Sequence, residues 1–591
     1  MYRIARQGHR PRSVPNTPIT RIDGKQRLLA RSVTGLLLLA GLSACSDITG
    51  VAPTSNSRLV DPESVLQAVS ATGTTYYVSP GGSDRNTGTS IARAWKTIGK
   101  VNGKVFGAGD RILFQGGSVF AGALSFNAAD KGSAAGPIVV SSYGSGRATI
   151  NGGSGTAIAL YNTSGFEIRN LTLVGSGRTT NTGSGLTVYA DLAGGVQLPY
   201  IRVDSVEASG FGKFGIVVGS WNNTTGFSDV RITYSSAHDN GRAGVSTYAQ
   251  AMYAHRNFYF GHLLSYNNSG VAGLTVNSGS GIVMGSVTGG VIERSVAHDN
   301  GWLCDAPEGP VGIWTYDSDG VVIQHNESYR NRTNGPADGG GFDLDQNTRN
   351  SVVQYNYSHD NDGAGFLLAH APDNTNHSGN TVRYNVSEND ARKNSAASIV
   401  VWGRTIGAEI YNNSVYLTPS TTGALVALKV HNASIPTHDV KNVHIRNNTF
   451  YTTGGLKVLS VSAGQLSGAI DLRFEGNNYF AGSTAPKFLW GSATYTGLAT
   501  WRSATTQEML SGVAVGSQID PAFVSPGGGG TIGNADQLGN LTAYKLKATS
   551  PMVNTGLDLR QKFGTNVGPI DYYVGSIAFG AGFDVGAHEW R

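Results

Sequence analysis

Three aspartates stand close together in the middle of the chain: Asp338, and then Asp343 and Asp345 on either side of Leu344. Side chains alternate between the two faces of a strand. In an extended segment Asp343 and Asp345 therefore share a face. Two carboxylates on one rigid strand suit two chemistries. One is calcium binding, because a hard cation takes several oxygen ligands. The other is acid/base cleavage of a glycosidic bond, which needs two carboxyl groups at a set separation. A third reading makes these residues turn caps or solvent-facing groups, since Asp-Gly and Asn-Asp turns form readily. The phrase Asp360-Asn361-Asp362-Gly363 reads that way.

Other candidates surround this cluster. Trp314, Tyr316 and Trp402 are large aromatics whose apolar faces can stack on sugar rings. The competing reading covers them with long loops such as 371–379. Candidate bases are Lys393, Arg404 and His370, with Arg392, Lys429 and Lys457 behind them. His238, His298 and His359 recur in matching turns. One function does not need the same residue in several turns, so these read as a stack.

The elements that hold these residues come from a recurring phrase. It begins at Ser295, Asn326, Asn356 and Asn385, so the period is close to thirty residues. A fixed period in this range marks one supersecondary unit stacked on copies of itself. Each unit reads as strand, turn, second strand, Asn/Ser turn, and a third strand entered through Gly. Asn suits such turns because it tolerates the left-handed conformation and because its amide can bond to its counterpart in the next unit. The phase points Ile313, Phe342, Leu344, Phe366, Leu368, Ile399 and Val401 inward. Trp314, Tyr316, Asp343, Asp345, Leu367, Val400 and Trp402 then face outward on one strip. Neighbouring rungs lie about 4.8 Å apart.

The fold expected is all-β: a right-handed parallel β-helix with an N-terminal cap and an irregular C-terminal cap. A solenoid of this kind escapes the size limit of a single core, because each unit contacts only its neighbours. Of the 591 residues, 82 are Gly and only 14% are charged. The formal charge is +5, but Arg3, Arg6, Arg10, Arg12, Arg21, Lys25, Arg27 and Arg31 face only Asp23. The remainder is near neutral, with no clustered basic face for nucleic acid.

That basic stretch leads into a short apolar run ending Leu42-Ser43-Ala44-Cys45, the layout of a secretory signal. The last four residues resemble a bacterial lipobox, which implies acylation of Cys45. The expected organisation is a signal segment at 1–45, a flexible tether at 46–75, a β-helix with its N-terminal cap at 76–487 and a C-terminal capping region at 488–591. The expected location is the bacterial cell envelope, as an exported lipoprotein touching the membrane only through its lipid. With Cys45 acylated, Cys304 has no intrachain partner, and a monomer is expected.

The segment from Tyr76-Tyr-Val-Ser-Pro-Gly-Gly-Ser-Asp84 onward resembles secreted β-helix proteins of the pectate-lyase-like superfamily. The closing Asp584-Val-Gly-Ala-His-Glu589 is similar to the ending of many of them. Asp338-Gly-Gly-Gly-Phe-Asp-Leu-Asp345 loosely resembles the strand motif of polysaccharide lyase family 9. That resemblance implies Ca²⁺ on Asp338, Asp343 and Asp345, a Lys or Arg base, and β-elimination on a uronate-containing polysaccharide. It assigns no single lysine. Two further functions stay open: a glycoside hydrolase using Asp343 with Asp345 or Asp338, and a non-catalytic glycan-binding or adhesive surface protein.

Overall fold

A computed structural model describes residues 73–591 apart from 371–375, 395, 423–424, 433–437 and 578–579. Cys45, the signal segment and nearly all of the tether lie outside the described residues, as does part of the 371–379 loop. The chain winds into a parallel β-helix with two long sheets, one of 25 strands and one of 14. Every pairing in the smaller sheet is parallel except the last, where Lys487–Trp490 meets Ala493–Thr496. The all-β expectation is borne out.

One coil shows the plan. The strand Gly340–Leu344 lies in the smaller sheet, followed by Val352–Gln354 and Tyr357–His359 in the larger. Phe366–His370 then opens the next coil directly above Gly340–Leu344, pairing Phe342 with Phe366 and Leu344 with Leu368. The inward column is apolar and sealed. Ile313, Phe342, Leu344, Phe366, Leu368, Ile399 and Val401 are all at most 1% exposed. Burial of these stacked rows drives the coil closed.

The bends between strands carry two asparagine ladders. In one, Asn326, Asn356, Asn385, Asn413, Asn448 and Asn477 each donate Nδ2–H to the Oδ1 of the next, at 2.9–3.0 Å. In the other, Asn240, Asn268, Asn300, Asn331 and Asn361 do the same at 2.9–3.1 Å. The recurring phrase of the sequence is therefore the ladder. The left-handed conformation falls one residue earlier than expected, on His325, Tyr355 and Tyr384 in one ladder and on Asp299, Arg330 and Asp360 in the other. Bulky residues rarely adopt it, and here the bonded asparagine that follows holds each in place.

Each ladder ends on a carboxyl group. Asn361 donates to Asp390 at 2.7 Å, and Asn477 donates to Glu508 at 2.8 Å. Burial pushes the Asp390 carboxyl up to about 6 and Glu508 to about 7.

The ends are closed separately. At the start, the helix Ile98–Asn102 covers the first coil with Ile98 and Val101 buried, and Thr97 Oγ1 accepts the Lys100 N–H at 3.2 Å. The tail from Phe488 was expected to cap the far end, and only its first part does. In the helix Leu498–Thr505, Trp501 is fully buried and stacks on Phe488 with centroids 4.6 Å apart. The rest doubles back along the flank of the larger sheet. Glu327 accepts the Ile532 and Gly533 N–H groups at 2.7 and 2.6 Å, and Asn412 donates to the Asp584 and Gly586 carbonyls. Tyr357 and Val386 of the sheet pack with Phe523, Leu538 and Leu541 of this strap. Trp501→Ala is expected to cost about 3–5 kcal/mol, read as a lowered urea midpoint.

Candidate active site

The outer face of the smaller sheet carries the candidate residues in columns set by strand register. Trp314 pairs with Asp343, Asp343 with Leu367, Leu367 with Val400, and Val400 with Lys429. In the next column Gly219 pairs with Tyr248, Gly285 with Tyr316, Ala369 with Trp402 and Trp402 with His431. Asp345, following Leu344, lies in line between Tyr316 and Ala369. The outward phase read from the sequence is thus the phase in the structure.

Outward does not mean exposed here. Trp314 is 9% exposed, Val400 7% and Asp343 4%. Two apolar clusters lie on this face. Val283, Val311 and Trp314 pack with Tyr316 on one side. Ala364, Ala397, Val400 and Val426 pack with Leu367 and Trp402 on the other. The acidic rung runs between them. Trp314 is anchored by its indole N–H, which donates to Ser280 Oγ at 3.1 Å.

This setting reshapes the carboxyl groups. Burial raises Asp345 to about 7, and the charges of Asp338, Asp317 and Glu308 add to the shift against the opposing Gln346 N–H. Burial raises Asp338 to about 6, opposed by the Gly309 N–H that it accepts at 2.9 Å. Asp343 is held well above the usual carboxylate range by burial and by the charges of Asp345 and Asp338. Its Oδ1 is buried with no hydrogen-bond partner among the described residues. Like charges that share a site cannot all ionise, so the rung keeps protonated carboxyl at neutral pH.

The sequence-derived bases are not brought together. Lys393 precedes the strand Ala397–Gly403 and donates to the Thr333 carbonyl at 2.6 Å. Arg404 follows the same strand and is half-buried. His370 ends the strand beside the acidic rung and is fully buried. Its ring lies 5.7 Å from His377 and 6.0 Å from His438, centroid to centroid. Burial lowers His377 to about 3, so it is neutral and donates Nε2–H to the Leu344 carbonyl at 2.9 Å. That bond steadies the strand end next to Asp345, a role the sequence did not reveal.

The aspartates of the calcium expectation already accept backbone N–H groups with one oxygen each at Asp338 and Asp345. Among the described residues no three His, Cys, Asp or Glu side chains are grouped to hold a metal ion. Asp338 is committed to Gly309 N–H, and Asp345 Oδ1 accepts the Gln346 N–H at 2.7 Å.

Sequence reasoning also missed part of the face. Tyr161 pairs with Tyr189 in line with Tyr248 and Tyr316, and the two rings lie parallel to within 11°. Gly219 and Gly285 leave room for rings above them, since an added Cβ would come within 2.4 Å of Tyr248 and Tyr316. The same alternation that turned Tyr316 outward could have found Tyr248.

The chain is a right-handed parallel β-helix, and residues 225–415 match the family model described as a right-handed beta helix region. A lacto-N-biosidase of Bifidobacterium longum subsp. longum is 25% identical over 448 residues, 59% of this chain and 27% of that protein. The chain thus spans about a quarter of that curated relative's length. Among solved structures, a GH136 lacto-N-biosidase from Eubacterium ramulus gives a TM-score of 0.46 at 18% identity, covering 61% of this chain and 67% of the other. Pectate lyase Pel9A gives 0.42 at 16% identity, covering 88% of this chain and 98% of the other. No residue role is carried over from these proteins.

Proposed function

We propose that the protein is a carbohydrate-active enzyme that hydrolyses a glycosidic bond at the acidic rung. The observation that carries this reading is the cluster of three carboxyl groups, Asp338, Asp343 and Asp345, all held above the usual carboxylate range between two apolar clusters. Asp345, near 7, keeps a proton at neutral pH and gives it to the leaving glycosidic oxygen. Asp338, near 6, is the more readily ionised partner and acts on the anomeric carbon, directly or through water. Asp343, buried and held well above the usual carboxylate range, offers a hydrogen bond to the bound sugar. Tyr316 and Trp402, both half-buried, supply apolar area for sugar rings. The bond between the anomeric carbon and the leaving oxygen breaks, and water supplies the new oxygen. The curated relative's name, a lacto-N-biosidase, agrees with glycosidase chemistry.

This reading suits the geometry better than β-elimination. Elimination needs a base beside the reacting sugar, and Lys393 is spent on the Thr333 carbonyl. Lys429 stands three rungs from Asp343 in the same column, about 14 Å along the axis. Proton NMR of fresh digests of a glycan panel tests the proposal. Reducing-end products of a single anomeric form are expected. Unsaturated products absorbing in the ultraviolet, or no cleavage of any glycan, would sink it.

A further inference from the structure

The acidic rung is one part of a longer face, and the coils before it hold a second charged feature. Lys213 and Arg242 occupy equivalent places on adjacent coils, each just before a strand of the smaller sheet: Phe214–Ser220 and Ala243–Tyr248. The Arg242 N–H donates to the Lys213 carbonyl at 2.7 Å. Both side chains are half-buried. Burial lowers both from their ordinary values, and the Arg242 charge lowers Lys213 further. No acidic group opposes either shift. Some arginines on this molecule have carboxylate partners, among them Arg202 with Asp229, Arg330 with Asp299, Arg332 with Asp362 and Arg446 with Glu475. Lys213 and Arg242 form no ion pair among the described residues.

Two like charges brought together and half-removed from water destabilise the fold they sit in. Such a pair persists where an anion completes it. The register places the site. The strand after Arg242 is followed in the sheet by Ser280–Gly285, Val311–Tyr316 and Gly340–Leu344. Arg242 is therefore three rungs from the acidic rung, about 14 Å along the axis, and Lys213 four rungs, about 19 Å. Tyr248 shares the Arg242 coil and stands in the same column as Tyr316 and Asp345. The face offers a cation pair on one edge and an aromatic ring on the other.

We infer that Lys213 and Arg242 form a distal subsite for an anionic sugar, carrying a carboxylate or a sulfate, on a glycan chain whose scissile bond lies at the acidic rung. The inference rests on the hydrolase reading for the position of that bond, and it narrows the substrate to chains that carry negative charge several sugar units from the cleavage point. A guanidinium gives a carboxylate or sulfate two parallel hydrogen bonds, and the ammonium adds a point charge. The pair selects charge without touching the reacting atoms.

The test compares the full chain with Lys213→Gln/Arg242→Gln, each also carrying Asp345→Asn so that bound glycan is not cleaved. The probes are uronate-bearing and sulfated oligosaccharides of increasing length, each with its neutral counterpart, with binding measured by calorimetry. The expected result is binding of one or more charged chains that weakens at least tenfold in the double variant and with added salt, while neutral chains are unaffected. Uronate and sulfate arms identify the source of the charge. Equal binding by both proteins, or no preference for charged chains, overturns the inference. The single variant Lys213→Gln is expected to keep or raise the melting temperature without ligand, because a repulsion is removed. A fall would mark the pair as structural and also overturn it. If Lys213→Gln/Arg242→Gln with Asp345 intact cleaves charged glycans unchanged, the hydrolase reading stands and the subsite falls. If charged chains bind through the pair but the native protein cleaves nothing, the reverse holds.

Discussion

Asp345→Asn is expected to lower kcat by about 10²–10⁴-fold, the usual contribution of a positioned general acid. The amide keeps the shape of the side chain and removes its proton. The pH profile gives a sharper readout. Activity of the native protein needs Asp345 protonated and its partner ionised. It should rise through about 6, where Asp338 ionises, and fall through about 7, where Asp345 loses its proton. The variant should lose the alkaline limb. These are properties of a coupled group of carboxyls, so the two limbs belong to the rung.

Stability moves in the opposite direction. Asp345 has a folded value near 7, above its ordinary 3.8. A raised carboxyl binds its proton more tightly in the folded state. Its contribution to stability is full below about 3.8 and is lost as pH rises through about 7. At pH 8 the native protein pays for an ionised, half-buried carboxylate that the variant lacks. Asp345→Asn should therefore melt higher than native at pH 8 and show little difference at pH 4. An inactive, more stable variant is what a catalytic carboxyl predicts; retained activity would remove Asp345 from the mechanism.

A stability loss comparable with that of Trp501→Ala is expected from Asn331→Leu. The Asn331 amide donates to Asn361 Oδ1 at 2.9 Å and to Ser328 Oγ at 3.0 Å, and its Oδ1 accepts from Asn300 at 2.9 Å. Leucine leaves one N–H of the Asn300 amide buried and unpaired, while the other still reaches the Ser265 carbonyl at 3.1 Å, and each buried unpaired group costs about 1–3 kcal/mol. Overpacking at the bend adds about 1–3 kcal/mol. A loss of about 2–6 kcal/mol is expected from urea denaturation. Asn331→Asp keeps the acceptor and the shape, and should lose less at acid pH than at neutral pH, where its charge is buried. Equal stability of Asn331→Leu and native protein would remove the ladder from the account.

The strands and their phase were legible because stacked coils repeat the same physical problem. Ser295, Asn326, Asn356 and Asn385 fall at one bend, so a period in the sequence fixes which of Phe342 and Asp343 turns inward. Burial on the outer face was not legible. Trp314 and Asp343 point outward yet are buried, because neighbouring coils supply side chains such as Val283, Val311 and Tyr316 that pack with Trp314, and the period of one coil does not say which side chains meet across coils. The bases failed for a related reason. Lys393 and Arg404 flank one strand, and nothing in the repeat tells which end of a strand a flanking residue serves. The strap was missed because its partners are far away in sequence: Glu327 meets residues 532 and 533, and Asn412 meets residues 584 and 586.

That strap changes how the stack comes apart. A solenoid held only by nearest neighbours frays from its ends, one unit at a time. Here Asp536 reaches His262 and Arg294, while Asn478 Oδ1 accepts the Ile519 N–H. A single stretch of chain thus binds the coils from His262 to Asn478 into one cooperative block, with the acidic rung inside it. The coils before Gly261 lie outside the block, joined to it through neighbouring rungs and through Tyr253, which donates its O–H to the Asn347 carbonyl at 2.8 Å. Hydrogen exchange should divide at that boundary, with the Lys213 and Arg242 coils on the faster side and the aspartates on the slower.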